Sequence, residues 1–114
     1  MSQAEQQTQE RLDILAAIRR GMPVYDSEYI KLGTVTRIYW GADTAHPNSD
    51  DFQVTFLGVS KLPPETATLI REEGCIRVDS GLLAADYYVL PHQVANITEE
   101  GMFLLVRGDG VLMY

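Results

Sequence analysis

The sequence predicts a mainly β fold, a small antiparallel β-barrel that one helix precedes and a second, short helix interrupts. Short segments rich in β-branched and aromatic residues recur through residues 21–114, separated by Gly, Pro, Asp and Ser. The chain has no alternating long helices, which a parallel βαβ sheet would need. Closing such short strands into a barrel would remove exposed sheet edges.

The first element is a helix predicted over residues 4–20, where Leu12 and Leu15 begin an apolar stripe at helical spacing. Arg19 and Arg20 suit the negative end of the helix dipole, and Gly21 suits a helix end. The stripe must cover either the body of the protein or a second copy of the chain. We therefore divide the chain into an N-terminal helix, residues 1–20, and a barrel domain, residues 21–114.

The remaining elements follow from changes in hydrophobic period. Gly33, inside a long predicted strand, suggests a bulge or tight bend. Proline in the first turn and Gly74 at the end mark a short helix near residues 64–73. The predicted strands are 22–25, 31–40, 52–57, 75–79, 86–90, 94–98, 102–107 and 111–114.

Two stretches resemble the PRC-barrel family. The first is GMPVYD, residues 21–26, followed by KLGTV, residues 31–35; the second is IRVDSGLL, residues 76–83, followed by DYYV, residues 86–89. The resemblance implies a small barrel that contacts other macromolecules, as in the cytoplasmic domain of the photosynthetic reaction centre H subunit. It implies no catalytic residues, because the family shares none.

Two positions depart from the family pattern. Tyr29 stands in the first turn, where members commonly have Gly. Because a positive φ would strain a tyrosine, we predict a turn type that does not need one. In addition, Leu90 comes before Pro91, whereas members usually place the proline directly after the strand.

The net charge and the cysteine content limit which binding partners and which cellular compartment are expected. The net charge is −7, and the six basic residues of the barrel domain are scattered singly. Nucleic acid and anionic membranes need clustered Lys and Arg, so neither is expected as a direct ligand. A lone Cys75 excludes an internal disulfide, and the polar N-terminus shows no signal peptide. We expect a cytoplasmic protein without a cofactor.

The loop at residues 41–51 is the candidate metal site, since Asp43, His46, Asp50 and Asp51 bring three carboxylates and an imidazole together. Their spacing matches no known metal loop, and surface loops are commonly acidic. We therefore predict no metal site there.

Two further residues, His92 and Cys75, are candidates for catalytic groups. His92 could act as a general base with Asp86 as its orienting partner, but no nucleophile pattern surrounds it, so we interpret it as a surface or capping residue. Cys75 is interpreted as a small buried hydrophobe. The alternative to an interaction module is a ligand-binding or enzymatic barrel that uses His46 or His92 with nearby carboxylates.

An interaction surface is the favoured functional feature. Leu82 and Leu83 follow a Ser-Gly turn and either plug a barrel end or face a partner. Adjacent strand residues point to opposite faces, so one of Tyr39 and Trp40, and one of Tyr87 and Tyr88, should be exposed. The sequence thus predicts a non-catalytic protein–protein interaction or assembly module, with homodimerisation left open. The predicted surface is Leu12, Leu15, Tyr39, Trp40, Leu82, Leu83, Tyr87 and Tyr88.

Overall fold

The structure is a computed structural model that describes residues 3–42, 44, 46–51, 55, 62–81 and 85–113. Two short 3-10 helices, Pro91–Gln93 and Gly108–Gly110, accompany the strands and α-helices. The elements are α1 (Gln3–Ala17), β1 (Pro23–Tyr25), β2 (Lys31–Tyr39), α2 (Pro64–Glu73), β3 (Cys75–Asp79), β4 (Tyr87–Val89), β5 (Val94–Thr98), β6 (Gly101–Leu104) and β7 (Leu112–Met113).

The strands form one seven-stranded sheet in the order β5-β6-β1-β2-β3-β4-β7, so the mainly β prediction is confirmed. The prediction of an antiparallel arrangement throughout is wrong, because β1 pairs with β6 in parallel. β1 pairs with β2 on one side. On its other side it pairs with β6, which comes much later in the chain and runs in the same direction. In the part of the chain that the structure describes, β5 and β7 are the two ends of an open sheet.

The main core lies on the inner face of this sheet. It includes Val24 of β1, Val35 of β2 and Met102 of β6, together with Leu15 and Ile18 from the N-terminal segment. Of the two alternatives for the helical stripe, the contacts fit the first, in which it covers the body of the protein. Burying a large aliphatic side chain contributes about 1.5–3 kcal/mol, so α1 adds materially to this core.

The end of α1 differs from the sequence prediction. The helix stops at Ala17, and its last turn holds no basic residue, so Arg19 and Arg20 do not act on its dipole as predicted. Instead, Arg11 ties the helix down, since its Nη1 donates to the Trp40 carbonyl at 2.7 Å and to the Glu73 carbonyl at 3.1 Å. These bonds satisfy carbonyls at the ends of β2 and α2.

A second, smaller core forms where α2 meets the sheet. Ile70 of α2 packs with Cys75 and Tyr88, and these side chains are buried. The short helix predicted near residues 64–73 is confirmed, including its proline start and its end at Gly74. The predicted strand at 52–57 is described only at Thr55, which is helical and donates its N–H to the Asp51 carbonyl at 2.9 Å.

Gly33 permits the close approach of β2 and β3. A Cβ at this position would overlap the carbonyl oxygen of Asp79, which is backbone and cannot move aside. The register shifts predicted from Gly33 are observed nearby, between Val24 and Tyr25 in β1 and between Val35 and Arg37 in β2. Neither helix in the described part of the chain is long and apolar enough to cross a membrane.

Candidate functional site

The turn between β1 and β2 is organised by one carboxylate. Asp26 Oδ1 accepts hydrogen bonds from the N–H groups of Glu28 at 2.9 Å and Ile30 at 3.0 Å, and Oδ2 accepts from Gly108 N–H at 3.0 Å. The hydrogen bond from Ile30 is the main cause that lowers the pKa of Asp26 below its usual 3.8, against the opposing effect of burial. The charged form of Asp26 therefore holds the turn together and joins it to the segment after β6.

Tyr29 occupies an unusual position in this turn. Its N–H donates to the Asp26 carbonyl at 3.0 Å, its φ is 64°, and it is 77% exposed. The prediction of a turn without a positive φ is therefore wrong. A tyrosine in the left-handed region is strained by its Cβ, and the Asp26 hydrogen bonds hold it there.

The ring of Phe103 contacts two tyrosines. Phe103 stacks on Tyr25 with centroids 5.1 Å apart, and it meets Tyr29 edge-on at 6.0 Å with 68° between the ring planes. The parallel register of β1 and β6 pairs Tyr25 with Phe103 and, one residue earlier, Val24 with Met102. Because Val24 and Met102 are in the core, Tyr25 and Phe103 lie on the outer face of the sheet.

A groove of about 750 Å³ runs beside these rings. Its lining includes Tyr29, Phe103 and Leu105, the last of which is 61% exposed. The β5–β6 turn adds Glu99 and Glu100 to the rim, and β5 itself forms part of the lining. We name this feature the aromatic groove: Tyr29, Phe103 and Leu105, with the rim carboxylates Glu99 and Glu100. Its described polar side chains include the carboxylates of Asp26, Glu99 and Glu100.

Of the surface residues predicted from the sequence, four of the six that the structure describes are buried. Trp40 is 5% exposed and Tyr39 is also buried, so the prediction that one of the two would be exposed is wrong. The physical reason is that β2 ends at Tyr39, so the strand alternation no longer applies to Trp40. Leu15 packs in the main core and Tyr88 in the smaller one.

Two of the four remaining predicted surface residues are described, and neither is fully exposed. Leu12 and Tyr87 are partly buried and pack against the main core. Leu82 and Leu83 lie outside the described residues, so their role as a plug or as a contact stays a prediction.

His46 contacts Trp40 rather than a metal-binding group. The two rings are stacked, with centroids 3.8 Å apart and planes 5° apart, and His46 Nδ1 accepts a hydrogen bond from Asn48 N–H at 3.1 Å. Both rings line a cleft of about 390 Å³ beside the end of α1. Nearby, Asp50 Oδ2 accepts hydrogen bonds from Arg20 at 2.9 Å and from Ile38 N–H at 2.8 Å.

These contacts weaken the hypothesis of a metal site in the loop at residues 41–51. Asp43 lies outside the described residues, and Asp50 is engaged by Arg20 and Ile38. Among the described residues, no group of three or more His, Cys, Asp and Glu side chains is placed to hold a metal ion.

His92 is paired with the carboxylate of Glu73, not with Asp86. His92 Nδ1 lies 3.0 Å from Glu73 Oε2, whereas Asp86 pairs with Arg77 Nε at 2.7 Å. Asp86 is therefore not the residue that orients His92. Cys75 is fully buried as predicted, and burial raises the pKa of its thiol far above the usual value, so the thiolate needed for nucleophilic chemistry is disfavoured.

The sequence analysis did not predict the aromatic groove, although the pattern of residues 102–105 gives one indication of it. Met102 and Leu104 are buried, while Phe103 between them points to the opposite face and Leu105, directly after β6, is exposed. Two large apolar residues on the outer face of one hairpin are a sign of a contact surface.

The chain matches no protein-family model, no curated protein and no solved structure.

Proposed function

We propose that this protein is a non-catalytic interaction module that binds a protein partner through the aromatic groove. The observation that carries the proposal is the exposure of Tyr29 and Leu105 in a groove that Phe103 also lines. Tyrosine is favoured at the centre of protein interfaces, because it buries a large rigid surface at a low cost in side-chain entropy.

The strain at Tyr29 supports a role in contact. Its side chain has little to gain from the fold, since it is mostly exposed, and its φ of 64° would suit glycine better. A residue that costs stability and exposes an aromatic ring fits a position retained for binding.

The proposal includes a PRC-type arrangement of the strands, in which the sheet of the described residues stays open between β5 and β7. In support, β1 and β2 form a hairpin in the first stretch that resembles the family, and β3 pairs with β4 in the second. Gln93 Nε2 also donates to the Gly110 carbonyl at 3.5 Å, which links the segments that precede β5 and β7, the two sheet ends. The acidic composition and the lone buried Cys75 are consistent with the cytoplasmic location that the proposal keeps.

The test is affinity capture from a lysate of the source organism with three baits: wild type, Leu105→Ser and Met113→Ser. Met113, which is 54% exposed and does not line the groove, is the matched control for Leu105. We expect a stoichiometric protein on the wild-type and Met113→Ser baits that is lost from the Leu105→Ser bait. Equal retention by all three baits, or no captured protein, would contradict the proposal.

Light scattering on the same purified baits separates self-association from binding to another protein. If the captured protein is the chain itself, the wild type and Met113→Ser should have the mass of an oligomer. Leu105→Ser should then have the mass of a monomer.

A further inference from the structure

Among the described residues, the strand that borders the aromatic groove has a paired strand on one side only. β5 is the first strand in the sheet order and, within the described part of the chain, pairs only with β6. Its residues Ala95, Asn96 and Thr98 are exposed and line the groove. In an antiparallel ladder, every second residue directs its backbone N–H and C=O away from the partner strand. β5 therefore offers hydrogen-bonding groups that an incoming extended chain can pair with.

The charge beside this strand has one sign. Glu99 and Glu100 lie in the exposed turn that follows β5, and the described lining of the groove contains no Lys or Arg. Arg107, the basic residue that acts on Asp26, is itself held by Glu28 at 3.4 Å and Asp109 at 3.8 Å. With a net charge of −7, the protein attracts a cationic segment to this face and repels an anionic one.

The aromatic rings give that segment a specific contact. Tyr29 and Phe103 meet at 68°, so they form two walls of a corner, and Tyr25 supports Phe103 from one side. A guanidinium or ammonium group is attracted to the negative face of an aromatic ring, and nearby carboxylates strengthen the attraction. Arg in particular can stack on a ring while it donates to a carboxylate.

We infer that the aromatic groove takes an extended, positively charged segment of a partner protein. The segment lies along β5 as an added strand and places an Arg or Lys side chain against Tyr29 and Phe103, within reach of Glu99 and Glu100. This inference rests on the proposed function and adds the chemistry and the conformation of the partner. Backbone pairing to β5 supplies the alignment, and the aromatic corner with its acidic rim supplies the preference for a cation.

A display library of random linear peptides tests this inference on the purified full chain. We expect wild-type protein to enrich peptides with a net positive charge and with Arg or Lys in a β-prone context, and Tyr29→Gly protein not to enrich them. Enrichment of neutral or acidic peptides, no enrichment, or equal enrichment on Tyr29→Gly would overturn the inference.

The dissociation constant of the most enriched peptide, synthesised free, separates the charge from the backbone pairing. We expect Glu99→Gln with Glu100→Gln to weaken binding roughly fivefold at low salt and less at high salt, because a rim charge acts mainly at long range. The matched control, Glu65→Gln with Glu72→Gln on the exposed part of α2, should bind like wild type. An equal loss in both double variants would mean that only net charge matters, and would overturn the specific site.

N-methylation of alternate residues of the same peptide tests the added strand, because a methylated nitrogen cannot donate to β5. We expect at least about a tenfold loss of affinity. Unchanged affinity would refute strand addition. A partner that is captured through Leu105 but fails these peptide tests would leave the proposed function standing and the inference wrong, whereas the loss of both results would remove both.

Discussion

Two aromatic clusters of this protein make similar ring contacts but differ in what covers them. Trp40 stacks with His46 and belongs to the main core, together with Leu15 and Ile18 from the N-terminal segment. Phe103 contacts Tyr25 and Tyr29 on the outer face of the sheet, which opens into the aromatic groove. The comparison shows that ring stacking alone does not define a role. A cluster covered by the chain's own helix stabilises the fold, and an uncovered one is available for binding.

The largest expected effect is on the covered cluster. Trp40→Ala should lower the free energy of unfolding by about 3–5 kcal/mol, since it removes a large buried side chain from the core. Chemical denaturation measures this loss. The comparison variant is Phe103→Ala, which truncates a partly exposed ring and should cost clearly less. Equal losses in the two variants would end the distinction between the two clusters.

The second effect concerns the carboxylate that positions the uncovered cluster. Asp26→Asn should lower the melting temperature at neutral pH, but less than Trp40→Ala does, because the amide cannot accept all three backbone hydrogen bonds. The variant should also bind partners less well, since it loosens the turn that holds Tyr29.

The same substitution should change the dependence of stability on pH. The pKa of Asp26 in the folded protein lies below the usual 3.8, so its carboxylate stabilises the fold fully above that pH. This contribution is lost as the pH falls from 3.8 through the lower pKa of the folded state. Melting temperatures across this range should fall more steeply in wild type than in Asp26→Asn, and parallel curves would refute this role of the charge.

The smallest effect on stability is expected at Tyr29, although the effect on binding should be large. Tyr29→Gly relieves the left-handed strain but loses the edge-on contact with Phe103 and gains chain entropy in the unfolded state. We expect the free energy of unfolding to stay within about 1 kcal/mol of wild type. A loss as large as that of Trp40→Ala would place Tyr29 with the covered cluster.

The sequence predicted the elements better than their contacts. β3 and β5 were predicted with their observed ends, Cys75–Asp79 and Val94–Thr98, because their local composition and flanking turns define them. The parallel pairing of β1 with β6 was missed, since nothing local to either segment encodes a partner so distant in the chain. The burial of Trp40 was missed because β2 ends one residue before it.

The candidate site depended even more on distant contacts. Tyr29 adopts its positive φ in a turn whose organising carboxylate, Asp26, also bonds to Gly108 on another part of the chain. No rule of turn composition includes that third hydrogen bond. The position of Phe103 between Met102 and Leu104 could be seen in the sequence, but its contact with Tyr29 depends on the pairing of β1 with β6.

The parallel pairing of β1 with β6 also has a consequence for how the protein acquires its structure during synthesis. β1 leaves the ribosome early. Its parallel partner β6, in which Met102 pairs with Val24, is synthesised much later. Until then, one side of β1 is unsatisfied and the inner core is incomplete. A fold that depends on such distant contacts forms slowly, on the scale of milliseconds to seconds. Cooperative folding should therefore begin only after β6 has left the ribosome.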